Sequence, residues 1–167
     1  MELKAALKKL KGSEEFKEWD AKNPENFLSY AFKMLEGNKD SPWQFGFYCK
    51  ATDKVTSFIT TQDKIELLDE EEVFKKPDTK VGPVDIEKVS LPFEKIMKKA
   101  EEFQKNHYSA ELVDRTISIL QNIEEYGTIW NITYITRAFK TLNMKINPEN
   151  GKIEHHNASS LIDLIKK

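Results

Sequence analysis

The chain has 167 residues, of which 39% are hydrophobic and 32% charged, and its formal net charge is -2. This apolar content is enough for a core, which excludes an intrinsically disordered chain, and the lack of a basic excess argues against a nucleic-acid partner. Cys49 is the one cysteine, so an internal disulfide is excluded, and its apolar, aromatic surroundings predict a small buried side chain.

The sequence contains no stretch that resembles a membrane anchor. No segment approaches the ~20 apolar residues that a spanning helix needs. Residues 1–12 also lack the apolar segment of a signal peptide. We therefore expect no transmembrane segment and a cytoplasmic protein.

Three helices are predicted at the start of the chain. The first covers residues 2–10, with three leucines on one face, and the second begins at Ser13, a typical N-cap, with Phe16 and Trp19 on its buried side. After Pro24, side chains at helical spacing predict a third helix that ends at Gly37. The apolar stripe of this third helix consists of Phe27, Leu28, Ala31, Met34 and Leu35.

The pattern changes to alternation at Trp43, which is typical of strands. We predict strands over residues 43–50, 55–60 and 64–68. Asp69 then caps a short predicted helix through Glu70, Glu71 and Glu72 into Val73 and Phe74. Four consecutive acidic residues do not have the spacing of a calcium loop, so we expect no metal there.

A second half follows a predicted linker. Residues 77–90, which hold Pro77, Gly82 and Pro83, separate a unit over 1–76 from a unit over 91–167. Helical spacing resumes at Leu91 and ends near Asn106–Tyr108. Strands are then predicted over 116–123, 128–137, 139–146 and 152–156, with hairpin turns at 124–127 and 147–151.

The two halves show the same order of elements, which indicates an internal repeat. Placing Trp43 on Trp130 also aligns Val55 with Leu142 and, after one gap, residues 64–66 with 152–154. It further aligns Asp69 with Asn157, and residues 73–74 with 161–162. We therefore predict an α+β fold in which antiparallel β-sheet packs against helices, with two pseudo-repeated α-β-β-β units.

The last hairpin, Ile146-Asn147-Pro148-Glu149-Asn150-Gly151-Lys152-Ile153, follows a long helix and an antiparallel meander, and this arrangement resembles a PepSY-type domain. The resemblance covers roughly residues 91–157 and, more weakly, 24–75. It implies a cystatin-like helix-on-sheet fold in two tandem units. PepSY domains are usually exported or membrane-attached and have a proposed role in restraining peptidases; the missing export signal departs from that pattern.

Catalytic and cofactor motifs are absent from the sequence. It has no HExxH, CxxC, GxSxG or glycine-rich phosphate loop, so we expect no cofactor, no metal and no catalytic residues, although a site assembled only in space stays open. His155 and His156 are adjacent, so a strand would point them to opposite faces, and His107 lies near a helix end. We interpret all three as surface histidines.

The candidate binding residues lie on the sheet face opposite the predicted core. Tyr48 and Lys50 in the first half match Ile135 and Arg137 in the second. The leading hypothesis is a non-enzymatic interaction module that binds a protein or peptide through a sheet face or edge, with a homodimer as a further possibility. The alternative is a small-ligand-binding protein or enzyme with a pocket between helix and sheet.

Overall fold

The computed structural model describes residues 1–73, 79–108 and 111–160, and these ranges form an α+β fold. Its helices are α1 (Leu3–Lys11), α2 (Glu14–Lys22) and α3 (Phe93–His107), with a 3₁₀ turn at Ile86–Lys88. Its strands are β1 (Phe27–Glu36), β2 (Lys39–Asp40), β3 (Trp43–Cys49), β4 (Lys54–Thr60), β5 (Ile65–Leu67), β6 (Glu71–Glu72), β7 (Val113–Ile123), β8 (Gly127–Thr136), β9 (Lys140–Ile146) and β10 (Ile153–Ser160).

All strands belong to one antiparallel sheet in the order β10-β9-β8-β7-β1-β3-β4-β5, while β2 pairs with β1 and β6 pairs with β4. The helices cover one face of this sheet, because their buried residues join the same core as the strands. This core has aromatic and aliphatic side chains from both halves: Leu7, Leu10, Phe16, Trp43, Phe45, Phe58, Ile96, Trp130, Ile132 and Met144. The fold class predicted from the sequence is confirmed.

The sheet consists of two four-stranded meanders that meet at a central seam between β1 and β7. Phe32 lies opposite Ile119 in this seam. The same two residues hold equivalent places in their meanders. Phe32 also pairs with Gln44, the residue after Trp43, and Ile119 pairs with Asn131, the residue after Trp130. The pairs on either side, Ala31 with Leu120 and Lys33 with Ser118, continue this relation. The register is therefore two-fold symmetric about the Phe32–Ile119 pair.

Trp43 and Trp130, which the alignment treats as equivalent, both lie in the second strand of their meanders. Their ring centroids are 6.1 Å apart. The alignment of Val55 with Leu142 is wrong by one residue. Phe47 and Tyr134 are equivalent, and they pair with Thr56 and Leu142, so the counterpart of Leu142 is Thr56. The β3–β4 connection has one residue more than the β8–β9 connection, which causes the difference. The duplication itself stays a prediction, and positions 74, 161 and 162 of the alignment lie outside the described residues.

The helix predicted over residues 27–35 is wrong, since this segment is β1, a central strand paired on both sides. Apolar side chains lie on both faces of this strand, with Ala31 in the core and Phe32 on the face without helices, so the run also contains helical spacings. Gly37, with a φ of +60°, forms the turn between β1 and β2 and does not end a helix.

The short helix predicted from Asp69 is also wrong, because Glu71–Glu72 forms β6, which pairs with Lys54 and Val55 of β4. Strand β5 covers only the other end of β4, at Phe58–Thr60. The open backbone groups of β4 therefore find partners in β6, and strand pairing outweighs the helix propensity of the acidic run. Phe74 lies outside the described residues.

The other predicted elements match the structure closely. Ser13 caps α2 by accepting a hydrogen bond from the Phe16 amide at 3.2 Å, and α3 ends at His107. The hairpin glycines Gly127 and Gly151 have φ values of +74° and +77°. In the described part of the predicted linker, Val84 and Val89 are buried. The two halves thus share one sheet and one core.

Candidate functional site

The sheet face opposite the helices contains a groove of about 690 Å³. We call it the open-face groove. It runs over the middle of the sheet, where the seam strands β1 and β7 meet β3 and β4, and the segments 71–73 and 79–82 form its outer wall. Its floor is mainly apolar and consists of Tyr30, Phe32, Val55 and Ile119, while Gln44, Gln121 and Asn122 contribute carboxamides.

Tyr30 is fixed in the floor by a close contact with Gly46. A Cβ atom at position 46 would lie 2.0 Å from the Tyr30 ring, so the ring covers the backbone of the glycine. The Tyr30 hydroxyl lies 2.7 Å from the Ser57 Oγ and accepts a hydrogen bond from the Gln44 Nε2 at 2.8 Å. Only glycine permits this arrangement, which orders one end of the groove before any ligand arrives.

A ladder of carboxamides extends from the groove across the outer strands. Asn131 donates to the Gln121 Oε1 at 3.0 Å, and Asn143 donates to the Asn131 Oδ1 at 2.6 Å. The Lys145 ammonium donates to the Asn143 Oδ1, and burial lowers the pKa of Lys145. Within the described chain the Gln121 Nε2 has no acceptor, so this donor is available at the groove.

Charge is concentrated on the outer wall of the groove. Glu71 and Glu72 both line the wall, but only Glu71, which pairs with the groove residue Val55, has its side chain on the groove face, and Lys80 contributes one ammonium group. Both glutamates belong to a strand whose residues are exposed, so their carboxylates remain hydrated. This wall favours a ligand that places positive charge beside β6.

The four binding residues predicted from the sequence do not form one site. Tyr48 is buried at the β3 end beside the Phe27 ring, at 5.5 Å, and its hydroxyl donates to Asp53, while Lys50 is exposed in the following turn. Tyr48 pairs with the first residue of β1.

Ile135 and Arg137 lie at the other end of the sheet. Ile135 is half-buried and pairs with Arg115, which in turn pairs with Glu36, the last residue of β1. Arg137 is exposed in the β8–β9 turn. The ten residues of β1 separate the two predicted pairs by roughly 30 Å at the usual strand rise.

Sequence reasoning missed the residues of the open-face groove because it interpreted β1 as a helix. Two signals were present. Tyr30 and Phe32 are aromatic and two residues apart, which is the strand period. In addition, Gly46 interrupts an aromatic strand, and such a glycine often marks a close approach by another group.

The histidines and the cysteine show no catalytic arrangement. His155 and His156 lie opposite Lys145 and Met144, so they point to opposite faces as predicted. His156 and His107 both pack on Phe103, at 4.8 and 4.3 Å between ring centroids. No group of three potential metal ligands occurs in the described ranges. Cys49 is half-buried rather than buried, because it ends β3 beside a turn, and a hydrogen bond with Thr52 lowers its pKa.

Comparisons with known proteins support the fold alone. No protein-family model matches the chain, and no curated protein is significantly similar to it. Its structure is similar to that of a putative lipoprotein from Clostridium difficile 630, with a TM-score of 0.53 and 10% sequence identity over 87% of this chain and 90% of that one. At that identity the likeness concerns the arrangement of helices and strands. Among the described helices, none is long and apolar enough to cross a membrane.

Proposed function

We propose that this protein is a non-enzymatic interaction module that binds an extended segment of a partner protein in the open-face groove. The observation that carries the proposal is the groove itself, which combines an apolar floor, polar carboxamides and an acidic wall on the uncovered face of the sheet. The opposite face is largely covered by helices, which pack on large buried side chains.

The dimensions and chemistry of the groove favour a peptide. It crosses β4, β3, β1 and β7, and three strand spacings amount to roughly 14 Å, the length of four extended residues. The floor beside Phe32 and Ile119 can take one apolar side chain. Carboxamides such as Gln121 match the hydrogen-bonding groups of a peptide backbone.

The acidic wall adds a preference within the peptide. A lysine or arginine near the apolar anchor residue would lie beside Glu71, where the opposite charges raise the association rate and fix the orientation of the segment. The proposed partner segment is therefore short, extended and mixed in character, with one aliphatic or aromatic residue next to a basic one.

The likeness to PepSY-type domains belongs to the same proposal, because such a helix-on-sheet unit leaves one sheet face free for a partner. The structure described supports a helix followed by a meander in the second half, from α3 to β10. A location in the cytoplasm and the formation of a homodimer stay predictions. Neither is needed for binding at the groove.

The test uses a displayed library of random seven-residue peptides, selected on the full chain. Ile119→Glu places a carboxylate on the groove floor, and Ile117→Glu makes the same change on the same face of β7 outside the groove. Both isoleucines are half-buried, so the two variants carry a similar cost in stability. We expect selected synthetic peptides to contain an apolar and a basic residue and to lose about tenfold or more in affinity only with Ile119→Glu.

The same peptides are then added to isotope-labelled protein, and shifts of backbone amides are measured by NMR. Shifts centred on residues 30–32 and 119–122 would support the proposal. Failure to select any peptide sequence, or equal binding by the two glutamate variants, would reject it.

A further inference from the structure

A second cavity of about 480 Å³ lies on the helix side of the sheet, between α3 and the ends of β7 and β8. We call it the α3 cleft. Its floor contains Thr116 and Tyr134, which lie directly opposite each other in the β7–β8 pair, and Met97 and Val113 give it an apolar side. The volume is in the range of small-molecule sites.

The floor of the α3 cleft contains the hydroxyl groups of two side chains that are otherwise buried. Tyr134 is 5% exposed and Thr116 is 7% exposed. Within the described chain, neither hydroxyl makes a hydrogen bond to another residue. Both hydroxyls open to the cleft, so they are available for hydrogen bonds to a ligand that enters it.

The first half of the molecule has an aromatic residue at the position equivalent to Tyr134, and helix side chains pack on it. Phe47 is the counterpart of Tyr134, and it has no hydroxyl. The rings of Phe16 and Trp19 from α2 lie 5.1 and 5.5 Å from the Phe47 ring and cover it. Among the described ring contacts, no aromatic residue of α3 packs on Tyr134, and the α3 cleft lies beside its side chain instead.

The rim of the α3 cleft is charged but internally paired. Glu94 lies 3.6 Å from Lys98, Glu101 lies 2.9 Å from Lys105, and Glu111 lies 2.7 Å from Lys140. The ion pair with Lys140 lowers the pKa of Glu111. A charged ligand would have to compete with these pairs or leave its own charge partly desolvated, whereas an uncharged ligand meets neither cost.

Tyr134 is suited to donate its proton to a ligand acceptor. Burial, together with the nearby negative charge of Glu101, raises the pKa of Tyr134 to about 12. The phenol therefore stays protonated at neutral pH. Thr116 can both donate and accept, so the floor matches a group that offers a carbonyl oxygen and an N–H side by side.

We propose that the α3 cleft is a binding site for a small uncharged amide with an aliphatic tail, whose amide group meets the Tyr134 and Thr116 hydroxyls while the tail packs on Met97 and Val113. This site is separate from the open-face groove, since it lies on the other face of the sheet. It does not depend on the proposed peptide binding.

The probe is N-methylhexanamide, added to the isotope-labelled full chain and followed by NMR. Hexanoate and hexylammonium serve as charged probes with a tail of similar length. We expect N-methylhexanamide to shift the backbone amides of Val113, Thr116 and Tyr134, and we expect each charged probe to bind about tenfold more weakly.

Tyr134→Phe removes one hydroxyl without changing the shape of the core. It should weaken N-methylhexanamide about fivefold, which corresponds to one hydrogen bond, while Tyr126→Phe, the same change in the β7–β8 turn, should leave affinity unchanged. Thr116→Val, which is nearly isosteric, gives an independent check on the second hydroxyl and should also weaken binding.

Three results would overturn the proposal: shifts only outside the cleft, equal affinity in wild type and Tyr134→Phe, or charged probes that bind as well as the amide. Ile119→Glu separates the two sites, because it should abolish peptide binding in the groove and leave N-methylhexanamide binding intact.

Discussion

The two halves of this molecule follow the same sheet register but cover it differently. In the first half, α2 places Phe16 and Trp19 over Phe47 and Phe58, so the helix side is packed with aromatic rings. In the second half the single helix α3 leaves a cleft over Tyr134. The strand pairing that defines the fold therefore leaves the covering layer free to differ, and that layer determines where a cavity can form.

The largest expected effect comes from breaking the seam that joins the halves. Ser118 is fully buried in β7 and pairs with Lys33. Ser118→Pro removes a backbone donor from a strand that is paired on both sides, and we expect it to cost about 3 kcal/mol or more of unfolding free energy. Urea unfolding measures this cost.

Ser118→Ala is the control for that substitution, because it keeps the backbone amide and removes only the hydroxyl, whose described contact is the Met97 sulfur at 3.8 Å. It should cost less than about 1 kcal/mol. If the proline variant were as stable as the alanine variant, the seam would not hold the halves together.

A loss of stability of intermediate size should appear at alkaline pH, and it should come from Tyr134 in the second half. The pKa of Tyr134 is raised to about 12, above the ordinary value near 10, so folding favours the protonated phenol. The stability that this preference contributes is fully present below pH 10 and is lost as the pH rises towards 12. Phe47, the counterpart of Tyr134, does not titrate.

We therefore expect the wild type to lose about 2 to 3 kcal/mol more than Tyr134→Phe between pH 9 and pH 12. Urea unfolding at several pH values gives this difference. The titration of the lysines changes the unfolding free energy of both proteins equally, so it cancels in the comparison. Parallel curves for the two proteins would show that the Tyr134 hydroxyl is as well solvated in the folded state as in the unfolded state.

The smallest expected difference concerns the two equivalent tryptophans. Both are buried, but the Trp43 Nε1 donates to the Met1 carbonyl at 2.9 Å, while the Trp130 Nε1 has no partner among the described residues. Trp43→Phe removes a satisfied hydrogen bond, whereas Trp130→Phe removes a buried donor without a partner. Thermal unfolding should show that Trp130→Phe is the milder change by about 1 kcal/mol. The reverse order would indicate that Trp130 has a bound water as its partner.

The sequence predicted the elements whose signals are local. The N-cap at Ser13, the alternation from Trp43, and the hairpin glycines Gly127 and Gly151 all depend on neighbouring residues, and the structure confirms each of them. The helix predicted over residues 27–35 was wrong because apolar side chains on both faces of β1 hide the period of two, which its burial nevertheless shows.

The candidate site was harder to predict for the same reason. The open-face groove needs β1 and β7 side by side, and this pairing joins Phe32 to Ile119, far apart in the sequence. The alignment of Trp43 with Trp130 also places Phe47 on Tyr134, but it gives no reason to single out Tyr134. Whether a hydroxyl at that position has a partner depends on the covering helix, and no spacing within the strand can reveal it.

The pair of Phe32 and Ile119 at the centre of the seam has a consequence for how this protein can be divided. Each residue is the other's counterpart, so a cut between the halves would turn β1 and β7 into unprotected sheet edges and split the groove floor down its middle. The fragment with β1 would keep Tyr30, Phe32 and Val55 but lose Ile119 and Gln121, so neither fragment would carry the complete recognition surface.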